Sequence, residues 1–360
     1  MTGSATTGLH PGRWWAREGD RFVCELCPRR CHLKPGQRGF CFVRQATDDG
    51  VALTTYGRSS GFCIDPIEKK PLNHFLPGTP IFSFGTAGCN LGCKFCQNWD
   101  ISKARDMDKL MDAASPADIA SAAVQTGCRA VAFTYNDPVI FAEYAIDTAI
   151  ACHEQGVKTV AVTAGYISEC ARGEFYAHMD AANVDLKGFT DRFYKDLCFA
   201  ELEPVKDTLR WLVHESKTWV EITTLLIPEE NDSPAELEAL TAFVHDELGP
   251  HVPLHFSAYH PDFKLARPGT PFGTLTRARE IALKAGLRYV YTGNVHDPAG
   301  QSTYCPGCKA LVIERDGYEI GAWHVKDGTC DACGHVIDGV FEDAPGTWGS
   351  RRQPVRLAAR

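Results

Sequence analysis

Three cysteines lie within eight positions of the stretch GTAGCNLGCKFCQN, residues 85–98. Cys89, Cys93 and Cys96 have the spacing C-x3-C-x2-C, and thiolate sulfur is a ligand for zinc and for iron–sulfur clusters. Four thiolates in two C-x2-C pairs would fill the shell of a zinc ion or of a closed cluster, whereas three leave one position open. The triplet therefore indicates a [4Fe–4S] cluster in which the protein holds three irons and leaves the fourth open.

A second group of cysteines lies near the C-terminus with the spacing C-x2-C-x21-C-x2-C. Its members are Cys305, Cys308, Cys330 and Cys333. Each C-x2-C pair is typical of a short knuckle, and four thiolates complete a tetrahedral shell that suits Zn²⁺. We expect a structural zinc ribbon, because so short a segment has little core of its own and gains folding energy from a metal.

A third group lies near the N-terminus with the spacing C-x2-C-x3-C-x9-C. Its members are Cys24, Cys27, Cys31 and Cys41. Zinc and an auxiliary iron–sulfur cluster are both compatible with this set, and His32 is an alternative to one of the thiolates. The sequence slightly favours zinc and leaves the alternative open.

The whole-chain composition is that of a globular protein. Of 360 residues, 44% are hydrophobic and 23% are charged, and the formal net charge is −8. That charge gives no general basic field, so nucleic-acid binding is not indicated. The first residues do not resemble a signal peptide, and no apolar run has the length of a membrane span. We expect a cytoplasmic protein with no membrane association.

A reducing compartment also affects how the cysteines are interpreted, because clustered thiols are then expected to be metal ligands rather than disulfides. Five of the sixteen cysteines are isolated, and each is expected to be a small buried apolar side chain. These five are Cys63, Cys128, Cys152, Cys170 and Cys198.

Short apolar runs alternate with amphipathic segments between the triplet and the C-terminal group. The predicted strands are PIFSFGT, AVAFTY, KTVAVTAG, NVDLKG, WVEITTLLIP, PLHFSAYHP and YVYTGNV. Two of the predicted helices begin with a serine N-cap followed by proline, at Ser115 and Ser233. This repetition predicts an α/β fold with a partial TIM-like (β/α) barrel.

In such a barrel the carboxyl ends of the strands meet at one face, where the chemistry takes place. The triplet follows the first predicted strand and therefore opens onto that face. The polar residues expected there are Thr134–Asp137, Thr163, Asp185, Lys187, Thr223, Ser257 and Asn294.

The triplet, with the aromatic Phe95 before its last cysteine, resembles the signature of radical S-adenosylmethionine (radical SAM) enzymes. Further matching stretches are CELCPRRCHLKPGQRGFC, DPIEKKPLNHF, VDLKGF and TGNVHDPAGQSTYCPGC. Together they resemble the radical enzyme of the AmmeMemoRadiSam system, which is similar to pyruvate formate-lyase activating enzymes. The resemblance implies that the open iron chelates S-adenosylmethionine, whose reductive cleavage gives a 5′-deoxyadenosyl radical that abstracts hydrogen from a substrate.

The resemblance also implies contacts to the cofactor. Asn136 and Asp137 in TYNDP match a segment that hydrogen-bonds its amino group, although many relatives have two glycines and a glutamate there. Asp185 and Lys187 match an Asp-x-Lys pair on a barrel strand, and the Lys187 ammonium suits the methionine carboxylate. A structural ion pair is the alternative for this pair. Phe95 is expected to lie beside the cofactor.

The predicted domain plan has five parts: a flexible N-terminus (1–21), a cysteine-rich metal-binding segment (22–75), a radical SAM partial barrel (76–300), a zinc ribbon (301–340) and a tail (341–360). Implied partners are a flavodoxin or ferredoxin as electron donor and Memo-type and AMMECR-type proteins of the same system. Two alternatives to a substrate-modifying enzyme are a glycyl-radical enzyme activase and a non-catalytic zinc module that binds nucleic acid or protein.

Overall fold

The computed structural model describes residues 9–103 and 112–357. Its centre is a nine-stranded sheet in which seven neighbouring strands are parallel and follow one another in chain order. These seven are β1 (Pro80–Phe84), β2 (Ala130–Phe133), β3 (Lys158–Thr163), β4 (Ala181–Asp185), β5 (Trp219–Leu226), β6 (Leu254–Ala258) and β7 (Val290–Gly293).

Within the described ranges, six helices of eight or more residues lie in the connections that follow β1 to β6. They are α1 (Pro116–Gln125), α2 (Ala142–Glu154), α3 (Glu169–Tyr176), α4 (Glu203–Glu215), α5 (Pro234–Phe243) and α6 (Phe272–Lys284). Ser115 and Ser233 cap α1 and α5 as the sequence predicts, each accepting a hydrogen bond from a backbone amide of the first turn. A proline follows each cap, where its missing N–H costs no helical hydrogen bond.

Helical coverage of the parallel strands explains their apolar sequence. All four residues of β2 are buried, and β6 is buried throughout, as expected for parallel strands with both faces covered. In the described residues β7 pairs only with β6, so the barrel is not closed. The predicted α/β partial barrel is confirmed.

The smaller elements flank this barrel. Short strands before β1 are His10–Pro11, Trp15–Glu18, Arg21–Cys24, Cys31–Leu33, Arg44–Ala46, Val51–Leu53, Arg58–Ser59 and Phe62–Pro66, and those after it are Asp112–Ala113, Thr303–Tyr304, Leu311–Asp316, Glu319–Trp323, Val325–Lys326, Thr329–Cys330 and Gln353–Val355. Short helical turns are Ile67–Lys69, Trp99–Ser102, Pro138–Phe141, Asp191–Phe193, Tyr194–Cys198, Val244–Leu248 and Pro298–Gln301.

The N-terminal segment, predicted to be flexible over residues 1–21, is structured in its described part. Residues 1–8 lie outside the described residues. Trp15–Glu18 forms a hairpin with Arg21–Cys24, and His10–Pro11 pairs with Val51–Leu53. Strand pairing gives hydrogen-bond partners to part of the backbone of this segment. Strands this short leave no clear pattern in the sequence.

The predicted tail, residues 341–360, also contains a strand. Gln353–Val355 pairs antiparallel with Phe62–Pro66, which in turn pairs with β1. The tail thereby covers the hydrogen-bonding edge that Phe62–Pro66 would otherwise expose. Residues 358–360 lie outside the described residues.

A buried ion pair fastens the N-terminal segment to the barrel. The guanidinium of Arg44, 1% exposed, donates to a carboxylate oxygen of Glu143 on α2 over 2.6 Å and to the carbonyl of Ile140 over 2.9 Å. Removing one partner would leave the other charge buried and unpaired, so the cysteine-rich segment is held firmly in place. None of the described helices is both long and apolar enough to cross a bilayer.

Candidate active site

A cavity of about 290 Å³ lies at the carboxyl ends of the parallel strands. Its wall contains Cys89, Cys93 and Cys96 together with polar residues from the ends of β2 to β7. Those polar residues are Thr134, Tyr135, Asn136, Asp137, Thr163, Asp185, Lys187, Thr223, Ser257 and Asn294. The structure thus brings every strand-end residue named from the sequence to the same cavity as the cysteine triplet.

The loop that carries the triplet is shaped by two glycines. Gly88 has φ +82°, and a side chain there would collide with the carbonyl oxygen of Cys41. Gly92 packs so closely on Phe199 that a Cβ would lie 2.9 Å from its ring, while the Gly92 amide donates to the carbonyl of Cys198 over 2.8 Å. Glycine is required at both positions because the loop is pressed against neighbouring backbone and side chains.

The three thiols differ in their surroundings. Burial raises the pKa of Cys89 to about 12. Burial also raises the pKa of Cys96, although the Ser102 hydroxyl, 3.1 Å from its sulfur, acts in the opposite direction. The pKa of Cys93 is lowered, because a hydrogen bond from the Cys198 thiol stabilises its thiolate despite burial. Cys198 is therefore buried as predicted but also contacts the triplet.

The chemistry of this donor set fits an iron–sulfur cluster. Three soft thiol ligands converge on one cavity, and soft sulfur ligands select iron–sulfur clusters over hard cations. In the same cavity the buried hydroxyl of Thr223 has no hydrogen-bond partner within the described part of the chain. Such a group is expected to find a partner in a bound molecule, because burying an unpaired hydroxyl costs free energy.

Asn136 fastens the cysteine loop to the end of β2. Its amide nitrogen donates to the Gly88 carbonyl over 2.9 Å and to the Thr86 hydroxyl over 3.3 Å, and its oxygen accepts from the Thr86 amide over 3.1 Å. The resemblance implied a contact to the cofactor for this residue. The structure gives it a positioning role that sequence reasoning missed.

The Asp137 carboxylate accepts hydrogen bonds from three groups of the protein itself. It accepts from the Val139 amide over 3.0 Å, from the Thr163 hydroxyl over 3.0 Å and from the Ala164 amide over 2.9 Å. Burial raises its pKa, opposed by these hydrogen bonds. Asp137 thereby joins the ends of β2 and β3 in the cavity wall.

Asp185 and Lys187 form an ion pair at the end of β4. The Lys187 ammonium lies 2.7 Å from Asp185 Oδ2, and the two side chains are 16% and 35% exposed. Burial lowers the pKa of Lys187, but the Asp185 carboxylate and the Cys93 thiolate outweigh it, so the pKa is raised well above its usual value. The lysine therefore presents a permanent positive charge to the cavity.

Phe95 lies between the last two cysteines and is 4% exposed. Its ring packs on Phe193 with centroids 5.6 Å apart, and it forms part of the cavity wall. An aromatic residue here supplies an apolar surface next to the thiols.

One charged group at the cavity escaped the sequence analysis. Tyr135, with a strained φ of +70°, donates its hydroxyl to Asp65 over 2.8 Å, and Lys69 and Lys70 lie 3.2 Å and 2.6 Å from the same buried carboxylate. Lys69 reaches the cavity wall. The charged centre of DPIEKKPLNHF was the available signal, but it did not show that Asp65, on a strand paired with β1, contacts Tyr135 at the end of β2.

The four C-terminal cysteines converge on one point. The sulfurs of Cys305 and Cys333 are 3.6 Å apart, those of Cys308 and Cys330 are 3.8 Å apart, and all four lie within 4.8 Å of one another. This arrangement can hold one metal ion.

The four N-terminal cysteines also surround a cavity, together with Leu26, Val139 and Ile140, whereas His32 is exposed and lies beside Glu18. Of the five isolated cysteines, Cys170 is exposed and so differs from the prediction, while the others are buried.

Comparisons with known proteins agree with this site. Residues 84–240 match the model of the Radical SAM superfamily. An uncharacterized protein of Methanocaldococcus jannaschii is 42% identical over 324 residues, which cover 89% of this chain and 96% of that protein.

Two solved structures to which the chain is similar have low sequence identity to it. A domain of a pyruvate-formate lyase-activating enzyme from Bacteroides vulgatus is 19% identical and covers 46% of this chain and 99% of its own, with a TM-score of 0.41. A radical SAM methyltransferase from Sphaerobacter thermophilus is 16% identical and covers 85% of this chain and 81% of its own, with a TM-score of 0.48. On the strength of the matched family model and the 42% identical relative, the chain belongs to the radical SAM superfamily.

Proposed function

We propose that this protein uses a [4Fe–4S] cluster, bound by Cys89, Cys93 and Cys96, and S-adenosylmethionine to abstract hydrogen from a substrate, as in the radical enzyme of the AmmeMemoRadiSam system. The observation that carries the proposal is the convergence of three thiols and the polar strand ends on one cavity. A zinc-binding interaction module has no use for a ligand set with one open position.

The chain supplies the ligands and their geometry. When bound, the cluster and S-adenosylmethionine supply one-electron reduction and hydrogen-atom abstraction. Cys89, Cys93 and Cys96 would hold the cluster as thiolates, so cluster binding would be coupled to release of the thiol protons. Asn136 then holds the loop through Gly88, and the backbone contacts of Gly92 fix its other half.

Charged and apolar groups of the cavity wall would orient the cofactor. The Lys187 ammonium suits a carboxylate, and its ion pair with Asp185 keeps it charged and fixes its position. The Thr223 hydroxyl, on β5, has no hydrogen-bond partner among the described residues and so can donate to a bound molecule. Phe95 excludes water from the side of the thiols, which strengthens the electrostatic interactions inside the cavity.

The substrate would approach through a neighbouring cavity of about 400 Å³. The two cavities share Lys69, Pro71, Ser257 and Asn294 in their walls, so they are adjacent. Glu68 and Arg315, both buried, are in the wall of the second cavity. This wall is suited to a polar substrate.

The remaining parts of the proposal concern the appendages and partners. Zinc in the C-terminal group fits its sulfur spacing, because a tetrahedral ion with Zn–S distances of about 2.3 Å separates sulfurs by about 3.8 Å. Residues 22–75, 76–300 and 301–340 are proposed as the cysteine-rich segment, the barrel and the ribbon. A flavodoxin or ferredoxin would supply the electron, and Memo-type and AMMECR-type proteins would act in the same system.

Reductive cleavage of S-adenosylmethionine tests this function. Anaerobically reconstituted protein with dithionite should release 5′-deoxyadenosine and methionine, measured by liquid chromatography and mass spectrometry, and the Cys89→Ala/Cys93→Ala/Cys96→Ala variant should release neither. Full cluster occupancy without product, in conditions where a known radical SAM enzyme works, would count against the proposal. A stable backbone radical on a partner protein would identify a glycyl-radical activase instead.

A further inference from the structure

The N-terminal cysteines surround a cavity of their own, separate from the one at the strand ends. Cys24 ends one strand, Cys31 begins the next and is directly paired with it, and Cys27 lies in the turn between them. Cys41 reaches the same cavity from the following loop. We propose that these four thiolates bind a second [4Fe–4S] cluster, complete in its protein ligands, rather than zinc.

The distances between the sulfurs distinguish a zinc site from an iron–sulfur cluster. Around one tetrahedral zinc ion, sulfurs stand about 3.8 Å apart, and the C-terminal four meet this with distances of 3.6 Å and 3.8 Å. Among the described residues, that C-terminal set is the one group of three or more potential metal ligands whose ligand atoms all lie within 4.8 Å of one another. The N-terminal thiols are therefore more widely spaced than a zinc shell requires.

The cysteine triplet provides an internal comparison. Cys89, Cys93 and Cys96 also fail to meet within 4.8 Å, and they are the ligands of the cluster that the family uses. In an iron–sulfur cluster each thiolate binds a different iron, so the sulfurs must stand further apart than around a single ion. By this measure the N-terminal group is arranged like the triplet and unlike the ribbon.

The surroundings also suit a buried cluster. Leu26, Val139 and Ile140, each at most 2% exposed, lie in the cavity wall. Arg29 and Arg44 belong to the same wall; the Arg44 guanidinium pairs with Glu143, and Arg29 donates to the Asn90 carbonyl. His32 is not part of this wall and its side chain is 51% exposed, so the ligand set is the four cysteines.

The position of this site places it directly behind the triplet. Asn90, the residue after Cys89, is in its wall, and Arg29 donates to the Asn90 carbonyl over 2.5 Å. The Cys41 carbonyl lies so close to Gly88 that no side chain fits there. Residues 88–90 therefore adjoin both thiol sets, and the unpaired electrons of two reduced clusters beside one short loop would interact magnetically.

Metal analysis of the Cys89→Ala/Cys93→Ala/Cys96→Ala variant tests the proposal, because that variant leaves the N-terminal group intact. Anaerobically purified wild-type protein should contain about eight irons and about one zinc per chain, and the variant about four irons, about one zinc and an iron–sulfur absorption band. About two zinc ions and no iron in the folded variant would overturn the proposal.

Two further samples make the result specific. Cys24→Ser/Cys27→Ser should lose about four irons and keep its zinc, whereas the matched pair Cys305→Ser/Cys308→Ser should lose zinc and keep its iron. If Cys24→Ser/Cys27→Ser does not fold, the triple variant still decides. Reduced wild-type protein should give a broadened or split paramagnetic-resonance signal that becomes that of a simple cluster in the triple variant. Two magnetically independent clusters would contradict the proposed position.

Discussion

Lys187 offers a sharp test of how the cofactor is held. Its ammonium is 16% exposed and lies 2.7 Å from Asp185 in the cavity wall, so a carboxylate bound there would meet a charge that water screens little. A hydrogen bond to a charged group contributes about 1.5–3 kcal/mol. Lys187→Met should therefore raise the dissociation constant of S-adenosylmethionine by about 10- to 150-fold.

The assay is equilibrium binding of S-adenosylmethionine to anaerobically reconstituted protein, with iron counted in each sample. Lys158→Met is a matched control, since Lys158 also lies 2.7 Å from an aspartate, Asp180, but at the opposite end of the strands. The control should bind like the wild type. An unchanged dissociation constant in Lys187→Met, with iron retained, would mean that the lysine only forms a structural ion pair.

Three further predictions concern the loop, the stability and the ribbon. Asn136→Ala should lower the free energy of unfolding by about 1–3 kcal/mol and speed iron loss to a chelator, because Gly88 and Thr86 lose their partner; unchanged iron loss would contradict its positioning role. Burial raises the pKa of Glu68 to about 7, above its unfolded value, so Glu68 contributes to the free energy of unfolding below about pH 4.5 and this contribution is lost as pH rises to about 7. The free energy of unfolding in urea should therefore fall by about 3 kcal/mol over that range in the wild type, and Glu68→Gln should lack this fall. Parallel pH profiles for the two proteins would refute this. Cys308→Ser should release the ribbon metal while 5′-deoxyadenosine production persists, and loss of both would show that the ribbon supports the active site.

The sequence predicted the barrel and its active face because both depend on local signals. Serine caps followed by proline mark α1 and α5, and continuous apolar runs mark the parallel strands. In a partial barrel, residues at strand ends must meet, so Asp185, Thr223 and Asn294 could be placed near one another without coordinates.

Long-range contacts could not be predicted in the same way. The hydrogen bonds of Asn136 join residues about fifty positions apart, and the contact of Tyr135 with Asp65 joins residues 70 positions apart. Neither leaves a periodic pattern in the chain. The choice of metal at the N-terminal cysteines depends on sulfur spacing, which C-x2-C-x3-C-x9-C does not determine.

The central claim is that the open iron of the Cys89, Cys93 and Cys96 cluster binds S-adenosylmethionine. Electron–nuclear double resonance on the reduced protein, with S-adenosylmethionine labelled with ¹⁵N in the amino group and ¹⁷O in the carboxylate, measures that bond directly. We predict hyperfine coupling to both labels, which disappears in the Cys89→Ala/Cys93→Ala/Cys96→Ala variant even if that variant keeps other iron. Absence of coupling in wild-type protein that retains its cluster and is saturated with the labelled cofactor would contradict the account.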